Sequence, residues 1–240
     1  MPTTHAFLII GHRGAAGLEP ENTLRSFARA IDLGVDAIEL DVYCVDDELV
    51  VIHDDTLERT TNGHGEVMAS RYDALRRLDA GNGERIPTLA EVLNLAESKV
   101  VVNIELKGAG TAAPVSACIA AHPRVDTLVS SFDHGELARF RAIDARTRVA
   151  PLFHRNATQL FEVAAGLQAW SINLSERLAT AERLRAIVDG GYRSLVYTVN
   201  EPALAERLKA DGATGIFTDF PDRMLKLRSG AIAKSGRFVE

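Results

Sequence analysis

Short runs rich in β-branched and aromatic residues alternate with runs of helical period along most of the chain. AFLII (6–10) reads as a first strand, and ENTLRSFARAIDLG (21–34) as a helix that closes on Gly34 just past its last turn. DAIELDV and LVVIH follow as two short strands. The stretch 54–87 breaks the rhythm: it is polar, its glycines mark loops, and SRYDALRRLD within it has the pattern of a short helix. TLAEVLNLAE resumes the helical pattern, with Thr88 as N-cap and Glu91 as its capping-box partner. Strands are then expected in VVVNIEL, TLVSSF, RVAPLF, AWSINL, SLVYTV and TGIFT, with helices near 112–121, 134–143, 157–166, 181–188 and 202–209. Apolar strands of this kind between helices indicate parallel pairing in βαβ units.

Roughly eight units result if DAIELDV and LVVIH share the second, which favours a closed (β/α)8 TIM barrel with a small insertion after the second strand. Counting leaves an open doubly wound sheet as the alternative. The expected organisation is a single catalytic domain over residues 1–228, including the insertion 54–87, followed by a C-terminal tail, 229–240.

In such a barrel, polar residues at the C-terminal strand ends are informative. The first strand ends in Gly-His12-Arg13-Gly, the second carries Glu39 and Asp41, and its continuation ends in His53-Asp54. Later strands end in Glu105-Leu-Lys107, Ser131, Asn173, Thr198-Val-Asn200 and Thr218-Asp219. Side chains two residues apart share a face of a strand. Glu39 and Asp41 therefore point together, opposite Ile38, Leu40 and Val42, and Glu105 and Lys107 share a face with Asn103. Three converging carboxylates would raise one another's pKa. A divalent cation resolves that conflict, and an all-oxygen donor set selects Mg²⁺ or Ca²⁺ over zinc. Plain salt bridges to Arg13 and Lys107 are the competing account of the same acids.

His12 and His53 stand at strand ends beside these acids. Imidazoles titrate near neutrality, so one can take a proton while the other gives one, the division of labour that cleavage of a phosphodiester requires. The residues leave open which does which. The other histidines, His5, His64, His122, His134 and His154, read as surface or core residues. The formal net charge of −6 and pI near 5.7 argue against a nucleic-acid groove. An acidic protein that handles a phosphate needs local positive charge, which Arg13 and Lys107 supply. With 46% hydrophobic residues the chain can bury a core without staples. The two cysteines, Cys44 and Cys118, fit free thiols in a reducing compartment. The N-terminal apolar run is too short for a signal peptide or membrane span, so a cytoplasmic protein without stable membrane association is expected.

HRGAAGLEPENT, IELDV, VVIHDDTLERTTNGHG, IELK, YTVN and GIFTDFPD, in this order from Gly11 to Pro221, resemble the signature of the glycerophosphodiester phosphodiesterase family. The resemblance implies a TIM barrel, metal ligands at Glu39, Asp41 and Glu105, catalytic histidines at His12 and His53, and phosphate contacts from Arg13 and Lys107. One departure is Tyr197, where the family commonly has Trp before TVN; if it lines the pocket, substrate shape or affinity changes and the chemistry stays. Asn22 and Thr23 are expected to cap the first helix. The implied reaction takes a small-molecule glycerophosphodiester and water to glycerol 3-phosphate and an alcohol, with one divalent cation. Lysophospholipase D-type cleavage of lysophospholipids is the alternative within that chemistry, and a catalytically silent binding barrel the alternative outside it. Lys107 as a Schiff-base lysine is disfavoured, since three neighbouring acids hold it protonated.

Overall fold

A computed structural model describes residues 6–228, so the expected tail at 229–240 lies outside the described residues. Nine strands form one sheet: β1 (Leu8–Gly11), β2 (Ala37–Val45), β3 (Glu48–Val51), β4 (Val101–Leu106), β5 (Thr127–Ser131), β6 (Arg148–Phe153), β7 (Ser171–Ser175), β8 (Arg193–Tyr197) and β9 (Gly215–Thr218). All but β3 pair in parallel, in the order β1-β9-β8-β7-β6-β5-β4-β2, and the β1–β2 pairing closes the ring. The closed eight-stranded barrel expected from the repeat count is therefore present, and the open sheet is excluded.

Helices fill the outside: α1 (Leu24–Leu33), α2 (Tyr72–Leu75), α3 (Leu89–Ala96), α4 (Ala112–Ala121), α5 (His134–Ile143), α6 (Leu160–Leu167), α7 (Ala181–Asp189), α8 (Pro202–Asp211) and α9 (Pro221–Met224). Their starts follow local chemistry. Thr23 caps α1 by accepting from the Ser26 amide, and Thr88 with Glu91 forms the full capping box of α3. Gly34, at φ 87°, ends α1 in the left-handed conformation that glycine adopts at little cost. The helix expected over 70–79 shrinks to the four residues of α2, and α6 starts three residues later than its apolar pattern suggests.

Strand parity sorts the side chains as expected. Ile38, Leu40, Val42, Val102, Ile104 and Leu106 pack outward against Phe27, Ala30, Leu89, Val92 and Leu93 of α1 and α3. Inside the barrel, Leu8, Ile10, Ala37, Val101, Leu128, Ala150, Leu195 and Phe217 form an apolar plug. Above it on β2 and β4, towards the C-terminal strand ends, come Glu39, Asp41, Asn103 and Glu105.

The run LVVIH differs from a parallel barrel strand. β2 continues through Val45, turns at Asp46 and Asp47, both at positive φ, and returns as the antiparallel β3. Ile52 then donates its amide to the Asp41 carbonyl, which brings His53 back to the barrel mouth beside Asp41. The insertion after it has a small core of its own, in which Leu57, Val67, Leu75, Ala80 and Ile86 close over Tyr43, Val50 and Ile52.

Candidate active site

β2 and β4 are neighbours, and their register sets Asp41 level with Glu105 and Glu39 level with Asn103. Glu39, Asp41 and Glu105 are all buried, and each offers an oxygen within 4.8 Å of those offered by the others. Lys107 Nζ lies 3.0 Å from Glu105 Oε1 and 3.7 Å from Asp41 Oδ1. Arg13 Nε lies 3.6 Å from Asp41 Oδ2. Glu39 accepts only the Arg13 backbone amide, at 2.9 Å, and among the described residues no side-chain cation lies within ion-pair distance of it. Salt bridges therefore account for part of the cluster and leave one carboxylate over.

The electrostatics follow. Burial and the charges of Asp41 and Glu105 push the Glu39 carboxyl well above its ordinary range. Burial and Asp41 push Glu105 up to about 7, against the opposing pull of Lys107. Burial alone would lower the pKa of Lys107, but Glu105 and Asp41 outweigh it and hold the ammonium charged. A buried trio of oxygen donors whose charge is incompletely balanced by side chains is a fitting cage for a hard divalent cation.

The two histidines are held by separate carboxylates. His12 Nδ1 sits 2.7 Å from Asp219 Oδ1, and Asn200 donates its side-chain amide to Asp219 Oδ2 at 2.6 Å. Asp219 returns its backbone N–H to Asn200 Oδ1 at 2.9 Å. His53 Nδ1 sits 2.6 Å from Asp54 Oδ1. A carboxylate at this spacing accepts from Nδ1–H, so each ring turns Nε2 away from its leash. Burial, with help from the positive Arg13 and Lys107, lowers the His53 pKa despite Asp41 and Asp54. Both rings line a cavity of about 230 Å³ together with Arg13, Glu39, Glu105 and Tyr197.

The backbone between β1 and α1 is built for close approach. Arg13 has φ 51°, and a Cβ on Gly14, at φ 87°, would stand 2.4 Å from Ser26 Oγ. Ser26 Oγ donates to the Arg13 carbonyl and accepts the Ala15 amide, which ties the His12-Arg13 loop to α1.

All seven residues expected to carry chemistry thus meet at one end of the barrel, and Tyr197 lines the same cavity. Its hydroxyl donates to the Phe153 carbonyl at 2.8 Å, while its ring lies within 6.5 Å of Phe132, His154 and Phe217. One expectation needs correction. Asn22 does not cap α1: it is buried at φ 55° and donates to Asp41 Oδ2 at 2.9 Å. His154, expected as a surface or core residue, is exposed and also lines the cavity. Asp54, Asn200 and Asp219 were visible as strand-end polar residues, but the pairing of Asp54 and Asp219 with the histidines, and of Asn200 with Asp219, was not. Glu21 and Arg59 lay within the motifs that carry the resemblance but were given no role there.

The chain matches the glycerophosphoryl diester phosphodiesterase family over residues 12–223. It is 34% identical to a glycerophosphodiester phosphodiesterase of Caldanaerobacter subterraneus, covering 92% of this chain and 97% of that protein. A glycerophosphodiester phosphodiesterase of Bacillus altitudinis is 36% identical, with the same 92% and 97% coverage. Among solved structures, a phosphodiesterase of Oleispira antarctica in complex with the product sn-glycerol-3-phosphate superposes with a TM-score of 0.87 at 28% identity, over 92% of this chain and 96% of that one. The residues at the barrel mouth, the topology beneath them and these similarities agree: the chain belongs to the glycerophosphoryl diester phosphodiesterase family.

Proposed function

We propose that the protein hydrolyses glycerophosphodiesters, such as glycerophosphocholine or glycerophosphoethanolamine, to glycerol 3-phosphate and the free alcohol. The observation that carries this reading is the pair of carboxylate-leashed histidines lining one cavity with Glu39 and Glu105, two of three clustered buried acids. Glu39, Asp41 and Glu105 would hold one Mg²⁺ or Ca²⁺ ion. When bound, the cation would supply Lewis acidity toward the phosphodiester.

The chain's own groups do the rest. The nucleophilic oxygen bonds to phosphorus as the bond from phosphorus to the alcohol oxygen breaks. One histidine takes the nucleophile's proton through Nε2, and the other protonates the departing alkoxide. The lowered pKa of His53 suits it to accept, and His12 is then the donor in this reading. Arg13 and Lys107 oppose the charge that builds on the nonbridging oxygens. The nucleophile is water or the neighbouring glycerol hydroxyl, and trapping a cyclic glycerophosphate would identify the second route. Residues 1–228, with 54–87 inside them, would act as one catalytic unit in the cytoplasm. Among the described residues no helix is long and apolar enough to cross a membrane.

A test follows glycerol 3-phosphate release from glycerophosphocholine by the purified protein. Release should stop with EDTA, return with Mg²⁺ or Ca²⁺, and vanish in His12→Ala. A lysophospholipid is the second substrate class to offer. A human lysophospholipase D is 36% identical over 41% of this chain, and Phe132 on the cavity wall is 44% exposed. Cleavage of lysophosphatidylcholine alone would move the substrate to lipids. Silence on both would favour a binding barrel.

A further inference from the structure

Arg59 lies in the inserted stretch, outside the cavity, and makes four short hydrogen bonds to two carboxylates. Its Nε and Nη2 donate to Asp54 Oδ2 and Oδ1 at 2.6 and 2.9 Å. Its Nη1 and Nη2 donate to Glu21 Oε2 and Oε1 at 2.6 and 2.9 Å. Each carboxylate also reaches a residue of the site, through an oxygen it shares with Arg59 Nη2: Asp54 Oδ1 holds His53 Nδ1 at 2.6 Å, and Glu21 Oε1 accepts from Arg13 Nη1 at 2.7 Å. A continuous chain His53–Asp54–Arg59–Glu21–Arg13 thus joins a histidine of the site to its arginine.

We propose that Arg59 is a positioning residue: its forked guanidinium clamps Asp54 and Glu21 and thereby fixes the His53 imidazole and the Arg13 guanidinium relative to each other. The inference rests on the roles given above to His53 and Arg13. Only a planar fork can serve two carboxylates in two-point contact at once; an ammonium is a point charge. Arg59 is itself 46% exposed, and exposed ion pairs add little to stability, so its consequence is geometric. The inserted stretch holds its backbone in place. Leu57 is buried in the insertion's core, with its amide on the Gly65 carbonyl and its carbonyl accepting the Thr61 amide. Delivering Arg59 to the rim is thus one task of this insertion. His12 hangs from Asp219 and Asn200 instead, and serves as an internal control.

The test needs two readouts. In protein labelled with ¹⁵N-histidine, His53 should appear as the Nδ1–H tautomer with a downfield, exchange-protected Hδ1. Arg59→Ala should erase that signature and spare the one from His12. Steady-state kinetics of the metal-loaded enzyme on glycerophosphocholine should then divide the two arms. Asp54→Asn lowers kcat, Glu21→Gln raises KM, and Arg59→Ala does both, with kcat falling about tenfold or more, as for other residues that orient a site imidazole. Arg59→Lys, which keeps the charge, should recover only a small part. An unchanged His53 resonance in Arg59→Ala, or kcat and KM both within about twofold of the parent, or full recovery by Arg59→Lys, would overturn the proposal. A parent enzyme silent on glycerophosphocholine, with the resonances behaving as described, would overturn the substrate and leave the clamp standing.

Discussion

Removing one charge from the acid cluster should stabilise the metal-free protein at alkaline pH. The perturbation is Glu105→Gln, which keeps shape and an oxygen acceptor for Lys107 while deleting the charge. Glu105 is buried, 9% exposed, and its carboxyl is raised from 4.5 to about 7 by burial and by Asp41. A carboxyl raised on folding keeps its proton in the native state over a pH range where the unfolded chain has lost it. Native protein then binds more protons than unfolded protein, so stability falls as pH rises, starting near 4.5 and complete above about 7. At about 1.4 kcal/mol per pH decade the loss amounts to about 3 kcal/mol. Glutamine lacks this term. Relative to the parent, Glu105→Gln should therefore gain about 3 kcal/mol between about pH 4.5 and about pH 8, or about 6–12 °C in Tm for a chain of this size. The assay is thermal or urea unfolding of both proteins in EDTA across that range, followed by titration with Mg²⁺ or Ca²⁺. The cation should restore the parent at high pH and move the variant far less, because a ligand has gone. A stability difference independent of pH, or equal response of both proteins to the cation, would refute the reasoning.

Three further outcomes test other parts of the site and fold. With a nitrophenyl leaving group, which departs without a proton, His12→Ala should lose much less activity than on glycerophosphocholine, whereas His53→Ala should lose as much on both; the reverse pattern would exchange their roles. Asp219→Asn keeps the shape beside His12 but offers an amide to Nδ1, so kcat should fall by on the order of 10²–10⁴ with little change in unfolding temperature, as when a triad carboxylate is neutralised. Thr88→Ala removes the capping box of α3 and should cost about 1 kcal/mol in urea unfolding while kcat/KM stays unchanged.

How far the sequence reached depended on the range of the interaction concerned. Strand parity is a local, two-residue property, so Glu39, Asp41 and Glu105 were assigned to the barrel face from their own neighbours, and the register of β2 and β4 bore this out. Caps act over three residues, so Thr88 and Glu91 were read correctly as a pair. Hydrogen bonds between distant residues leave no such local pattern. Asp219 meets His12 across 207 residues, and Arg59 meets Glu21 across 38, and nothing in the intervening chain records either meeting. Asn22 looked like a cap because asparagine favours that position; its left-handed backbone and burial instead send its amide to Asp41. His154 carried no periodic or motif signal and gained its place only when β6 closed beside β7 and the rings of Phe132 and Tyr197 came within reach. The sequence by itself determined which residue types stand on which face of which strand, because side-chain alternation is built into the backbone. Tertiary structure alone decided which of those side chains touch, because closing the barrel brings together strands whose order in space the local pattern does not encode.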